Sequence, residues 1–254
     1  MSFVVSGDAY DRFMGRYSQP LACVFADFAG IGAGQTVLDV GCGSGVLTEE
    51  LPHRLGAEHV AGVDPSPLLE ACAERVPGAD LRPGKAEALS WPDDSFDAAL
   101  AQLVIHFMDD PAAGAAEMAR VTRPGGVVAS CSWDFAGGME LLRHYWEAAH
   151  WLDDTHEGES RSFGSLDELD TLWRAQGFED VEAGFLEVSS DYADFDELWG
   201  TFQHGVGPAG QYVASLDPDA RAALRDEYRR RLGNPTGPLA LRARSTAVRG
   251  TVPA

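Results

Sequence analysis

The stretch Val37-Leu38-Asp39-Val40-Gly41-Cys42-Gly43-Ser44-Gly45 reads as a buried strand that runs into a glycine turn and on into a helix. Val37, Leu38 and Val40 suit a strand covered on both faces. Gly41, Gly43 and Gly45 permit positive φ and remove the Cβ atoms that would hold a ligand off the backbone. A helix starting near Ser44 would aim free N–H groups at whatever binds there.

Two ligand classes fit such a loop, the nicotinamide or flavin dinucleotides and S-adenosylmethionine. The dinucleotide spacing G-x-G-x-x-G requires glycine at 46, where this chain has Val46, so the match is to G-x-G-x-G alone. Asp39 is a carboxylate inside an apolar strand, costly to bury unless a cation or hydrogen-bond donor meets it. A diphosphate would be repelled there, whereas the amino group of a methionine moiety would be attracted. Val60-Ala61-Gly62-Val63-Asp64 is a second apolar run ending in an acid, 21 residues beyond Gly43. Asp64 can take ribose hydroxyls of either ligand, so the choice rests on Asp39 and Val46.

Around this core the chain resembles the class I S-adenosylmethionine-dependent methyltransferases, most closely the small-molecule branch related to quinone-biosynthesis methyltransferases. VLDVGCGSG resembles the family's first motif and VAGVDPS the end of its second strand. GKAEALSWPDDSFDAAL resembles its adenine loop and fourth strand, and EMARVTRPGG the helix and turn before the fifth. The opening YDRFMGRYSQPLA and the ending LALRARSTAVRG are also similar to segments of this branch. The resemblance implies that Asp39 and the backbone of Gly41, Cys42 and Gly43 hold the methionine portion. It implies Asp64 on the ribose, Ala86 and Glu87 beside the adenine, and Gln102 near the methionine amino group. Arg16, on an entry helix, is expected to reach the methionine carboxylate as a two-bonded fork.

Apolar runs near 37–41, 59–64, 79–82, 96–104, 126–132, 181–188 and 239–248 alternate with helical patterns near 44–54, 66–76, 111–122 and 166–176. The expected fold is α/β, a doubly wound, mostly parallel seven-stranded Rossmann-like sheet in a single domain over 1–254. Two segments, 134–164 and 189–238, exceed what such a sheet needs and are expected to form a helical lid. They hold Tyr145, Trp146, Trp151, Phe163, Tyr192, Trp199, Phe202 and Tyr212, a concentration of amphipathic rings suited to enclosing an organic acceptor, though ring by ring ordinary packing of lid helices onto the sheet is the favoured reading. Asp217-Pro218-Asp219 reads as a cap, an N1 proline and a first-turn acid of a helix ending at Gly233. Arg229-Arg230-Arg231 in its last turn offsets the helix dipole.

The net charge of −21 is spread along the chain, which disfavours nucleic acid as a partner, and only Lys85 among the 19 basic residues is a lysine. Cys23, Cys42, Cys72 and Cys131 show no zinc-type spacing. No apolar run approaches the ~18 residues of a membrane span and no signal sequence opens the chain, so a cytoplasmic protein without membrane partners is expected. The close-set His150, Asp153, Asp154, His156 and Glu157 include metal-capable side chains, but similar acidic clusters recur elsewhere, and no metal is expected.

The expected activity is S-adenosylmethionine-dependent transfer of a methyl group to oxygen, nitrogen or carbon of a small organic metabolite. His106, following QLVI just past a strand's carboxyl end, is the leading candidate base for an acceptor proton, ahead of His144, His150 and His204. A lyase or cyclase, or a non-catalytic subunit, on the same cofactor-binding fold is the alternative.

Overall fold

A computed structural model describes residues 14–154, 163–205 and 207–254. Seven strands run in chain order as β1 (Val37–Val40), β2 (Val60–Asp64), β3 (Asp80–Pro83), β4 (Phe96–Gln102), β5 (Thr122–Trp133), β6 (Glu179–Tyr192) and β7 (Leu239–Thr251). They form one sheet in the order β3-β2-β1-β4-β5-β7-β6. Neighbours among β1 to β5 are parallel, and β7 is antiparallel to β5. The chain winds from β1 outward to β3, then crosses back to set β4 beside β1. That reversal opens a crevice at the carboxyl ends of β1 and β4, the place where such sheets take ligands.

The chain divides into two compact units. The sheet unit comprises Ser18–Trp133, Ser162–Leu186 and Ser245–Ala254. Its helices are α1 (Arg16–Phe28, of which Ser18 onward belongs to this unit), α2 (Val46–Glu50), α3 (Pro52–Leu55), α4 (Leu68–Arg75), α5 (Pro111–Val121) and α7 (Leu166–Ala175). All residues of β1 and β2 are buried, as expected for strands covered on both faces. Leu38, Val40, Ala61, Val63, Ile105, Met118 and Val128 join Trp173 of α7 in the core. The Trp173 indole N–H donates to the Val128 carbonyl at 3.0 Å, so its one polar group is satisfied.

Helix ends follow local chemistry. Asp110 accepts hydrogen bonds from the N–H groups of Ala112 and Ala113 ahead of Pro111 at the start of α5. Ser165 and Glu168 form a reciprocal capping box on α7. The helix expected over 44–54 is in fact two short ones. Gly45, at φ +92°, lies outside helical space, and Pro52, without an N–H, breaks the ladder between α2 and α3.

The second unit comprises Met1–Tyr17, Asp134–Arg161 and Glu187–Arg244, with α6 (Glu140–Leu152), α8 (Phe195–Gly200), α9 (Gly207–Ser215) and α10 (Pro218–Arg231). Tyr145 stacks on Phe202 with centroids 4.4 Å apart, and Tyr228 meets both edge-on. Buried hydroxyls find partners: Tyr145 donates to the Ala209 carbonyl, Tyr228 to the Leu141 carbonyl, and Tyr17 lies 3.1 Å from Tyr192. Of the rings suited either to an acceptor or to packing, Tyr145, Tyr192, Trp199 and Phe202 are buried, Trp146 meets Tyr145 edge-on, and Trp151 is exposed. Trp146 and Tyr212, with Leu152, Asp153, Gln211 and Leu216, also line a cavity of about 790 Å³ within the same unit.

Asp217 caps α10 through the Ala220 N–H, and Gly233 beyond its end has φ +80°. The arginine run has a role beyond the dipole. Arg230 and Arg231 both pair with Glu227, a buried acid on the preceding turn, and hold its carboxyl below the usual range. Among the described residues no helix is long and apolar enough to cross a membrane, and no group of three or more His, Cys, Asp or Glu side chains is placed to hold a metal ion. His156 and Glu157 lie outside the described residues.

Candidate functional site

The glycine loop closes the carboxyl end of β1 and is tied to β2. Gly41 and Cys42 N–H groups both donate to the Val63 carbonyl, at 2.8 and 3.0 Å, and Gly45 N–H donates to the Cys42 carbonyl at 2.8 Å. Gly43 N–H donates to Asp64 Oδ2 at 2.8 Å. The first donors of the turn therefore hold the loop itself, because a buried N–H must find an acceptor and β2 supplies one. The three glycines answer to different constraints. A Cβ on Gly41 would lie 2.3 Å from Val104 Cγ2, and one on Gly45 would lie 2.7 Å from the Cys72 sulfur of α4. A Cβ on Gly43 would meet nothing within 4 Å. Gly43 is the glycine whose outer face is open.

Asp64, at the end of β2, is anchored on both oxygens. Oδ2 takes the Gly43 N–H, and Oδ1 takes the Ser66 N–H at 2.8 Å and the Ser66 hydroxyl at 2.5 Å. A carboxylate has about four acceptor positions, so capacity remains for a ligand hydroxyl. Ser66 escaped the sequence reading. The D-x-S spacing, which favours a side-chain turn of this kind, was its signal.

Asp39 is 1% exposed. Its Oδ2 accepts a hydrogen bond from the Thr48 hydroxyl of α2 at 2.6 Å. Burial drives its carboxyl up from 3.8 to about 7, Thr48 pulls it down, and Asp64 pushes it further up. Leu100 of β4 is paired with Asp39, and Gln102 lies two residues further along β4. Side chains alternate along a strand, so Gln102 shares the Asp39 face of the sheet. Gln102 Nε2 donates to the Ser18 carbonyl at 3.1 Å, while its Oε1 is buried and accepts no hydrogen bond among the described residues. The next residue, Leu103, has φ +60°. A left-handed, non-glycine residue costs on the order of 1–2 kcal/mol, and here it sits between Gln102 and the Val104 that packs on Gly41.

The remaining candidates spread over several elements. Cys42 is buried, its sulfur against Gly62, and a hydrogen bond with the Cys72 thiol, together with burial, pushes its thiol above the usual range. Ala86 and Glu87 are half-buried in the loop after β3. Glu87 Oε1 accepts the N–H groups of Asp109 and Asp110, tying that loop to the start of α5. His106 lies in a single helical turn, Ile105–Phe107, with Nδ1 3.2 Å from the Ser132 hydroxyl of β5 and its ring against Phe107. Arg16 belongs to the helical unit. Its guanidinium pairs with Glu197, donates to the Asp191 carbonyl at 3.0 Å, and lies over the Tyr192 ring. Nothing in the sequence pointed to Glu197, 181 residues away.

Residues 38–130, from β1 into β5, match the family model described as the methyltransferase domain. Over these residues the chain carries a methyltransferase domain. An uncharacterized methyltransferase of Mycobacterium tuberculosis is 39% identical to it over 127 residues, 50% of this chain and 49% of that one. The 2-methyl-6-phytyl-1,4-hydroquinone methyltransferase of Synechocystis is 35% identical over 118 residues, 45% of this chain and 37% of the relative. The chain thus spans about half the length, or less, of these curated relatives. In fold it is similar to phosphoethanolamine N-methyltransferase 2 of Haemonchus contortus in complex with S-adenosyl-L-methionine, with TM-score 0.55, 18% identity and coverage of 99% of this chain and 61% of that one.

Two outcomes follow for this methyltransferase domain. Gly43→Ala strains only the backbone and is expected to cost about 1 kcal/mol in urea unfolding, whereas Gly45→Ala adds a clash with Cys72 and is expected to cost at least about 2 kcal/mol. Equal costs would contradict the geometry. For Asp39, a carboxyl raised from 3.8 to about 7 binds its proton more tightly in the folded than in the unfolded chain. Stability therefore falls as pH rises between those values, with a full cost on the order of 4 kcal/mol above them. Asp39→Asn, measured without ligand, is expected to stabilise the protein by about 2–4 kcal/mol at pH 8 and by less than about 1 kcal/mol at pH 4; a loss of stability at pH 8 would overturn the assignment.

Proposed function

We propose that the protein transfers a methyl group from S-adenosylmethionine to oxygen, nitrogen or carbon of a small organic acceptor. The observation that carries this reading is Asp39, a buried acid whose neighbours include no cation among the groups that shift it. The orphaned Gln102 Oε1 on the same face supports it. Together they suit a ligand that brings an ammonium group, and the residues present fit the cofactor.

When bound, S-adenosylmethionine supplies an electrophilic methyl group on a positively charged sulfur, whose departure leaves the electron pair on sulfur. Asp39 takes the charge of the ammonium end, and Gln102 Oε1 offers it a second acceptor. Asp64, steadied by Ser66 and Gly43, takes a ribose hydroxyl. Ala86 lies at the adenine, with Glu87 fixing the loop that carries it. The open outer face of Gly43 lets the nucleoside approach the backbone. Displacement at a sulfonium methyl needs chiefly alignment and exclusion of water, so few side chains must react. For a hydroxyl or protonated amine acceptor, His106, whose Nδ1 lies 3.2 Å from the Ser132 hydroxyl, receives the proton on its imidazole ring.

A small acceptor is supported by the net charge of −21, which repels nucleic-acid backbones. The reading places the protein in the cytoplasm and gives Arg16 the role of a brace within the helical unit rather than a ligand for the methionine carboxylate.

Isothermal calorimetry with S-adenosylhomocysteine and with NADH tests the cofactor, and mass spectrometry of acceptors turned over with S-adenosylmethionine tests the reaction. Binding of the thioether alone and a gain of one methylene equivalent are expected. NADH binding without the thioether would defeat the reading, and an acceptor rearranged at unchanged mass would favour a lyase or cyclase. His106→Ala is expected to leave thioether affinity within about twofold and to lower kcat by roughly 10²-fold for a hydroxyl acceptor. Equal loss of affinity and turnover would make His106 structural.

A further inference from the structure

We infer that Thr48 is a positioning residue for the cofactor site: its hydroxyl holds Asp39 in the charged, ammonium-accepting form and so sets the acidity below which the cofactor is refused. The inference rests on the reading of Asp39 as the acceptor of the ammonium group. Thr48 is fully buried on α2, and its Oγ1 lies 2.6 Å from Asp39 Oδ2, the short spacing of a hydroxyl donating to a carboxylate. An ionised carboxylate only accepts, so Thr48 must be the donor while Asp39 is charged. Its other partner is the Cys72 thiol of α4, a weaker acceptor than a carboxylate, which leaves the hydroxyl proton to Asp39.

The titratable groups that feel Asp39 lie on every side. They are Asp64 on β2, Cys42 in the glycine loop, Cys72 on α4 and Cys131 on β5. All are acids or thiols. Burial and Asp64 both oppose the charge on Asp39, and among the described residues Thr48 supplies the one side-chain hydrogen bond that favours it. Since the cofactor must find Asp39 ionised, affinity is expected to fall about tenfold for each unit of pH below the free carboxyl's midpoint near 7.

Four proteins test this: the unmodified chain, Thr48→Val, Thr48→Ala and Thr48→Ser. Carbon-13 NMR follows the Asp39 carboxyl without ligand, and calorimetry follows S-adenosylhomocysteine affinity from about pH 5.5 to 8.5. Thr48→Val and Thr48→Ala are expected to raise the carboxyl midpoint by about one unit and to weaken affinity roughly fivefold at pH 7. Affinity at pH 8.5 is expected to stay within about threefold, and Thr48→Ser to restore both midpoints. The alanine variant, which adds no bulk, keeps the test available should the valine variant fold poorly. An unmoved carboxyl midpoint, or an affinity loss equal at all pH values, overturns the inference. Absence of binding by the unmodified chain at every pH removes the reading of Asp39 and this inference with it; it is recognised because the NMR midpoints still differ between variants.

Discussion

The site depends on one uncomfortable charge. Asp39 sits in a strand buried on both faces, where burial lifts its carboxyl to about 7 and Thr48 draws it back, first through its hydroxyl and then through its backbone N–H. An apolar residue there would serve the sheet better, since an ionised carboxylate away from water is costly. The surrounding chain is arranged so that this charge is oriented rather than quenched. Gly45 ends the turn and begins α2, which brings Thr48 onto Asp39, and Gly45 lacks a Cβ so that α4 can close against it. The loop spends its own N–H groups on Val63 and Asp64, which fixes Asp64 to the glycine turn that follows Asp39.

The strands and their order of hydrophobic runs were legible because burial on both faces leaves a continuous apolar signature, as in Val60-Ala61-Gly62-Val63. Caps were legible for the same local reason: Asp217-Pro218 and Gly233 bound α10 as their chemistry requires. The reasons for individual glycines were not. Gly41 yields to Val104 and Gly45 to Cys72, contacts between residues brought together only by the fold. Leu103 at φ +60° is invisible in composition, because leucine gives no hint of a left-handed backbone. Arg16 illustrates the limit most plainly, since an arginine near a cofactor motif and an arginine paired with Glu197 look alike in one dimension.

The helical unit obeys a different logic. Its aromatic residues suit an acceptor lining or packing alike in one dimension, and Tyr145, Phe202 and Trp199 pack on each other and on Tyr228. A unit with few long helices needs large rings to bury enough apolar surface, each contributing on the order of 150–250 Å². Trp146 and Tyr212 also border a cavity within the same unit.

The central claim is that Asp39 is kept for a cation. Its carboxyl, followed by carbon-13 NMR with saturating S-adenosylhomocysteine, reports this directly, since an opposite charge within hydrogen-bonding reach lowers a carboxyl midpoint by roughly 1–3 units. The account predicts a fall from about 7 to 6 or below on binding. A midpoint that stays put or rises with the ligand bound would contradict it.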